Sequence, residues 1–428
     1  MMTEVIVECP AGRIVGLSDG VVDRFLGIPY AEAPIGPSRW RGAQRRPPFT
    51  DAFAATSWGA TAQRGQPYES TFIPEPSVDG EETLNLNVFS PAHAGGADSR
   101  LPVLVWVHGG GYVSGSAIGP WYDGSPSASR GALVVTIGYR LGWEGFGKAT
   151  SGINRGVSDW IAALEWVQDN IADFGGDPSR VTIAGQSAGG GAVLTLLSSP
   201  RAVGLFQQAA AFSPVDVCLS LDDATRVTTT LAERAGVDTS ELERMSSLQL
   251  QGASVDLAET GSTASLRPFA PVYGDDLVPE PIMDALGRHG LDKPLLIGAT
   301  AHELSPPDLV DGSTTRHKLS SELFHGTVRR TVDARRRSTA PTWVYRFDWR
   351  SPVTATASHC LDVPFFLGTA PNAEDALGPD YPRDLVSTMN GDLLRFVHAE
   401  GLPWSAARSA EDEPRVYGSG PAHEEKER

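Results

Sequence analysis

The sequence predicts an α/β fold: a large, mostly parallel central sheet flanked by helices, with a small N-terminal β-rich segment. Two runs, 101–107 and 132–138, are apolar at nearly every position, as strands covered on both faces must be. Strand and helix patterns then alternate, the order that lays helices over a parallel sheet. Residues 1–30 instead read as short strands joined by tight turns, which marks them as a separate entry segment.

Taken in order, the entry strands bend at Gly12, Gly16 and Gly20. Residues 31–82 are rich in Pro, Gly, Ser and Arg and read as loop, after which Leu84-Asn85-Leu86-Asn87-Val88-Phe89 alternates as a strand. The run 101–107 ends in His108-Gly109-Gly110-Gly111. Beyond the second apolar run, Val157, Ile161, Leu164, Val167 and Ile171 fall on one face of a helix over 156–173. Gly175-Gly176-Asp177-Pro178 stops that helix. Residues 180–185 form a strand, and 188–199 a helix opened by small residues and closed by Pro200. Further strands are expected at 206–212, 294–298, 342–347 and 415–417, with a helix near 224–235. Residues 305–340 read as polar and irregular, and the charged tail from Ala422 as frayed. No repeat or linker divides the chain, so the 428 residues are expected to form one domain.

Composition narrows the function. The formal charge is −17, from 52 acidic against 35 basic residues, with no long Lys/Arg cluster to follow a phosphate backbone. Nucleic acid is therefore not an expected partner. No apolar run reaches the roughly 18 residues that would span a bilayer, and the N-terminus lacks the pattern of a secretory leader. Cys9, Cys218 and Cys360 lie far apart and match no metal spacing, which fits a reducing, cytoplasmic setting.

Two motifs carry chemistry. Gly185-Gln186-Ser187-Ala188-Gly189 matches a nucleophile elbow, but with 46 glycines in the chain such a pentapeptide arises by chance roughly 0.4 times. Indeed Gly16-Leu17-Ser18-Asp19-Gly20 matches equally well, inside an apparent hairpin with no helix after it. Ser187 differs in context: a buried strand ends at Gly185 and a small-residue helix begins at Ala188, the setting that presents a serine hydroxyl at a sheet's carboxyl edge. The second motif, His108-Gly109-Gly110-Gly111, follows a buried strand and could aim backbone N–H groups at an oxygen that becomes negative. On this reading Gly110, Gly111 and Ala188 are the oxyanion donors.

With their neighbours these residues resemble the type B carboxylesterases, which have the α/β-hydrolase fold and include cholinesterases and para-nitrobenzyl esterases. The similarity runs through Phe25-Leu26-Gly27-Ile28-Pro29-Tyr30-Ala31, the strand at 84–89, the glycine loop with Tyr112, Gly115 and Ser116, and Asn154-Arg155-Gly156. It continues through Ala163-Leu164-Glu165-Trp166-Val167, Phe174-Gly175-Gly176-Asp177-Pro178 and the elbow. The resemblance implies a serine esterase acting on small to medium carboxylic esters. It implies Glu303 as the triad acid, in the segment 296–304, with Asp308 near enough in the chain to replace it. It also implies His359 as the base, in Ala357-Ser358-His359-Cys360-Leu361-Asp362-Val363-Pro364-Phe365. Serine, acid, histidine is the chain order of this fold. No metal or organic cofactor is needed for that chemistry. The resemblance further implies an ion pair between Arg39 and Glu81.

The chain also departs from the family pattern. Gln186 stands where a glutamate is usual, Glu82-Thr83 replaces an Asp-Cys pair, and His302 and Leu304 flank Glu303 where Asp and Gly are common. Glu303 and His359 lie only 56 positions apart, which suggests a shallower pocket. Two rival readings are a non-catalytic binding protein of the same fold, and a triad enzyme cleaving amides, carbamates or lactones.

Overall fold

In the N-terminal segment, β1 (Thr3–Cys9) and β2 (Gly12–Ser18) form an antiparallel hairpin, and β3 (Val22–Pro29) pairs antiparallel to β2. The computed structural model describes residues 2–62, 72–92, 94, 99–254, 257, 268–304 and 321–418. Within these, the hairpin continues into one twelve-stranded sheet. The remaining strands are β4 (Phe53–Ala54), β5 (Asn85–Pro91), β6 (Leu101–Val107), β7 (Leu133–Ile137), β8 (Gly176–Gln186) and β9 (Gln208–Phe212). β10 (Leu295–Thr300), β11 (Thr342–Phe347) and β12 (Arg415–Tyr417) complete it. Their spatial order is β1-β2-β3-β5-β7-β6-β8-β9-β10-β11-β12, with β4 beside β2. From β7 through β12 every pairing is parallel, so the carboxyl ends of β6, β8, β10 and β11 emerge on one edge.

The apolar character of β6 follows from its place in the middle of the sheet. Val103, Val105 and Val107 enter the core on one face, while Leu104 and Trp106 enter the core on the other. Helices cover both faces: α1 (Arg155–Asn170), α2 (Ala188–Ser198), α3 (Leu221–Ala235), α4 (His325–Ala334) and α5 (Arg383–Val397) are the ones used below. The stripe Val157, Leu164, Val167 of α1 is fully buried, as its period requires. α3 opens with a capping box between Ser220 and Asp223 and ends at Gly236 in the left-handed conformation, φ 67°.

One buried ion pair ties loop to helix. Arg140, after β7, donates to both carboxylate oxygens of Asp159 on α1, at 2.9 and 2.5 Å. Its remaining nitrogen reaches the carbonyls of Arg39 (3.0 Å) and Arg41 (2.6 Å). Every charge-assisted bond of that guanidinium is thus directed at a fixed point in the interior.

Two expectations are corrected. Arg39 does not meet Glu81: it pairs with Glu144 at 2.7 Å and donates to the Met245 carbonyl at 2.6 Å, while Arg46 pairs with Glu82. The turn Gly36–Trp40 sets Trp40 edge-on against Trp143, ring centres 5.0 Å apart, and so carries Arg39 toward residue 144. The region 305–340 is not irregular throughout, because α4 occupies His325–Ala334. Residues 305–320, with Asp308 and the expected opening of the pocket, lie outside the described residues, as does the tail from 419.

Candidate active site

Ser187 sits between β8 and α2 with φ 58° and ψ −120°, a conformation that L-residues avoid. Such a backbone costs about 1–3 kcal/mol and persists only where its surroundings force it. Here they do. A Cβ on Gly185 would lie 2.4 Å from the Gly189 carbonyl oxygen, and one on Gly189 would lie 2.1 Å from that of Val107. Only glycine lets strand, turn and helix approach this closely. The Ser187 N–H donates to the Phe212 carbonyl at 2.9 Å, and its own carbonyl accepts from Gly191 at 2.9 Å, so the turn is tied to β9 and to α2. The competing pentapeptide behaves differently: Ser18 ends β2 in the hairpin, with Leu17 opposite Arg24.

The glycine loop after β6 lies against this turn. A Cβ on Gly109 would meet the Gln186 carbonyl oxygen at 2.8 Å and the Ser187 Cβ at 3.2 Å. Gly110 and Gly111 have φ of 104° and 62°, and the Gly110 carbonyl accepts from Val113 and Ser114, closing the loop on itself. Among the described residues, neither Gly110 nor Gly111 donates its N–H to a protein acceptor. The Ala188 N–H belongs to the first turn of α2, where helical geometry provides no partner. The loop is anchored from behind by Tyr139, which donates to the His108 carbonyl at 2.9 Å. Burial holds the His108 ring well below the ordinary histidine value, at about 4, so the anchor is uncharged.

Glu303 and His359 meet despite their separation in sequence. Glu303 follows β10 and His359 follows β11, and these strands are parallel neighbours. The His359 Nδ1 donates to the Glu303 Oε2, and the His359 N–H donates to the Glu303 carbonyl at 3.0 Å. The other carboxylate oxygen accepts the Thr300 N–H at 2.9 Å, and the Thr300 carbonyl in turn accepts from His325 of α4 at 2.8 Å. Glu303 is 2% exposed. Burial opposes its ionisation, but the facing His359 outweighs this and holds the carboxyl below its ordinary range. Burial likewise opposes a charged His359, while the Cys360 sulfur and the Glu303 carboxylate raise it above the ordinary histidine value.

The altered residues around Glu303 still build a closed loop. His302 donates its N–H to the Ala357 carbonyl at 3.1 Å and accepts the Ala357 N–H on Nδ1 at 3.0 Å. A neutral imidazole thereby supplies the acceptor that joins the acid loop to the histidine loop. Leu304 faces outward, 41% exposed.

One feature differs from a simple serine–histidine pair. Among the described residues the Ser187 hydroxyl makes no hydrogen bond to His359. The His359 Nε2 lies instead 2.9 Å from the Gln186 amide nitrogen, which also donates to the Cys360 Sγ at 3.0 Å. Neither this second contact nor Phe324, whose ring centre lies 4.5 Å from that of His359, was legible in the sequence. Behind the histidine, buried Asp362 accepts from the Tyr345 hydroxyl at 2.5 Å, and burial raises its carboxyl to about 6.

Comparison with known proteins agrees with this architecture. The model of the Carboxylesterase family matches residues 3–318. The chain is 31% identical to the para-nitrobenzyl esterase of Bacillus subtilis (strain 168), over 95% of this chain and 93% of that protein. It is 30% identical to the phenmedipham hydrolase of Pseudarthrobacter oxydans, over 97% and 95% of the two chains. Among solved structures, a PNB esterase superposes with a TM-score of 0.83 at 28% identity, covering 94% of this chain and 93% of that one. The carboxylesterase EST55 of Geobacillus stearothermophilus gives 0.79 at 28% identity, covering 94% and 93%. The expected α/β-hydrolase fold is therefore present. Similarity carried along nearly the whole length, in sequence and in structure alike, places this chain in the carboxylesterase family, and it is an ester hydrolase.

Proposed function

We propose that Ser187 is the nucleophile, His359 the general base and Glu303 the orienting acid of an acyl-enzyme cycle on small to medium carboxylic esters. The observation that carries this reading is the strained Ser187 turn, held against the Gly109 loop on the edge where the Glu303–His359 pair emerges. In the cycle His359 takes the Ser187 proton as the hydroxyl oxygen attacks the ester carbonyl. The carbonyl oxygen becomes negative and receives the N–H groups of Gly110, Gly111 and Ala188. His359 then protonates the departing alcohol, and later draws a proton from the water that releases the acid. Glu303 fixes the tautomer with Nδ1 protonated and stabilises the imidazolium. These residues complete the cycle on esters without a metal or an organic cofactor.

The name of the Bacillus subtilis relative, a para-nitrobenzyl esterase, suggests aromatic esters as first candidates. We further read the 428 residues as one domain and place the protein in a reducing, cytoplasmic compartment, a reading supported by three unpaired cysteines. Among the described residues no helix is long and apolar enough to cross a membrane.

The test is release of p-nitrophenol from acetyl, hexanoyl and benzoyl esters by the protein and by Ser187→Ala. Activity in the parent that falls to background in the variant is the expected result. Equal activity in both would remove Ser187 from the chemistry. A folded parent inactive on every ester would favour a non-catalytic binding role. Matched amides, carbamates and lactones in the same assay decide among the bonds this triad could cleave.

A further inference from the structure

The base proposed for Ser187 is engaged elsewhere in the free protein. With Nδ1–H given to Glu303, a neutral His359 has one lone pair left, on Nε2, and that atom faces the Gln186 amide nitrogen at 2.9 Å. An amide NH₂ has two protons. The second is directed at the Cys360 Sγ, 3.0 Å away, so both donors of Gln186 are placed on the histidine and its chain neighbour. Gln186 is 1% exposed, with no access to water as an alternative partner. Cys360 holds its sulfur there from a left-handed backbone, φ 76°, which is uncommon for a residue other than glycine.

We propose that Gln186 is a positioning residue of the hydrolytic cycle, whose amide holds His359 Nε2 in the free protein and releases it to Ser187 when substrate enters. The proposal rests on His359 being the base. The amide favours the form of the imidazole that has a lone pair, because an Nε2–H would point at the amide's own protons. After Ser187 has given up its proton, the imidazolium needs an acceptor instead, and rotation of the Gln186 amide would offer Oε1. A carboxylate at this position would do the opposite in the resting state, attracting a proton to Nε2. A neutral amide at position 186, rather than a carboxylate, thus keeps the base free of one negative charge.

Among the described residues, four titratable groups lie around the ring and are common to all variants below. Glu303 contacts it from the loop after β10, Cys360 and Asp362 lie on its own loop, and His325 of α4 lies behind Glu303. Tyr345 of β11 is bonded to Asp362.

The experiment compares the parent with Gln186→Met and Gln186→Glu, following kcat/KM against pH on a p-nitrophenyl ester. Losing a donor to the lone pair, at about 0.5–1.5 kcal/mol net, should raise the acid-limb midpoint by roughly 0.4–1.1 pH units in Gln186→Met. A carboxylate in contact should raise it by about 1–3 units in Gln186→Glu. Melting curves show whether each variant folds. ¹⁵N resonances of His359, titrated in a Ser187→Ala background, give the same midpoints without turnover. The order parent, Met, Glu in both readouts supports the proposal. A midpoint in folded Gln186→Met at or below that of the parent, or a Gln186→Glu midpoint equal to it, would overturn the proposal. Where Gln186→Glu does not fold, the Met midpoint decides alone. Failure of the parent to hydrolyse any ester would overturn the esterase cycle instead, and the ¹⁵N titration would still decide whether the amide acts on His359.

Discussion

Replacing Glu303 by Gln keeps the side chain's shape and removes its charge, which makes it the sharpest probe of the acid. The retained Oε1 can still accept the Thr300 N–H, 2.9 Å away in the parent. The new NH₂, however, faces the His359 Nδ1–H, and two donors cannot share one bond. The ring must move its proton to Nε2, the nitrogen that should receive the proton of Ser187. Loss of the correct tautomer in a serine triad lowers kcat by about 10⁴, equivalent to about 5.4 kcal/mol in the barrier. Burst and steady-state release of p-nitrophenol at pH 7 would measure it, with a melting curve to show that the variant folds. A folded Glu303→Gln that keeps more than about one-tenth of parental kcat would refute the reasoning and transfer the acid role to Asp308. Stability supplies a second sign. The Glu303 carboxyl lies below its ordinary 4.5, so its contribution is present above that pH and is lost as pH falls through the folded value. His359 lies above its ordinary 6.5, so its contribution is complete below that pH and is lost as pH rises through the folded value. The parent's advantage in melting temperature should therefore be greatest between pH 4.5 and 6.5 and narrow on both sides.

Three other outcomes are expected. Asp159→Ala leaves the Arg140 guanidinium, 4% exposed, without its counter-charge, and should cost about 3–5 kcal/mol in urea unfolding; Arg140→Met with Asp159→Leu should cost clearly less. Gly185→Ala forces a methyl to within 2.4 Å of the Gly189 carbonyl oxygen and should cost about 1–3 kcal/mol, with a fall in kcat that a melting curve and ester assay would record together. Because His359 must be neutral to accept a proton and is raised above its ordinary value, kcat/KM should climb with pH and reach half its maximum above pH 6.5; a midpoint below that value would contradict the influence of Glu303 on the ring.

The sheet was legible wherever apolar runs had no alternative use. Residues 342–347 and 415–417 form strands at the expected bounds, and the stripe from Val157 to Val167 lies on α1 as its spacing requires. The elbow was legible from context as much as from its pentapeptide, since only Ser187 has a strand before it and a helix after it. α4 was hidden because much of its buried face is Gly326, Thr327 and Thr331, which carry little apolar signal beside Val328 and Val332. The pairing of Glu303 with His359 could not be derived locally: they lie 56 positions apart, and adjacency of β10 and β11 brings them together. Arg39 shows the same limit, since its choice of Glu144 over Glu81 depends on how a distant turn docks. Gln186 was visible as a departure from the family pattern, but its reach to a histidine 173 positions away was not.

The parallel ladders from β8 to β11 have a consequence for how the protein gains activity during refolding. Ser187 leaves β8, Glu303 leaves β10 and His359 leaves β11, so the proposed triad has no geometry until three successive ladders have closed. Each joins segments far apart in the chain, and such closures are slow because the intervening loop must lose its freedom before any contact compensates. Helical circular dichroism should therefore recover ahead of ester turnover after dilution from urea, and the lag between the two would time the zipping of β9, β10 and β11.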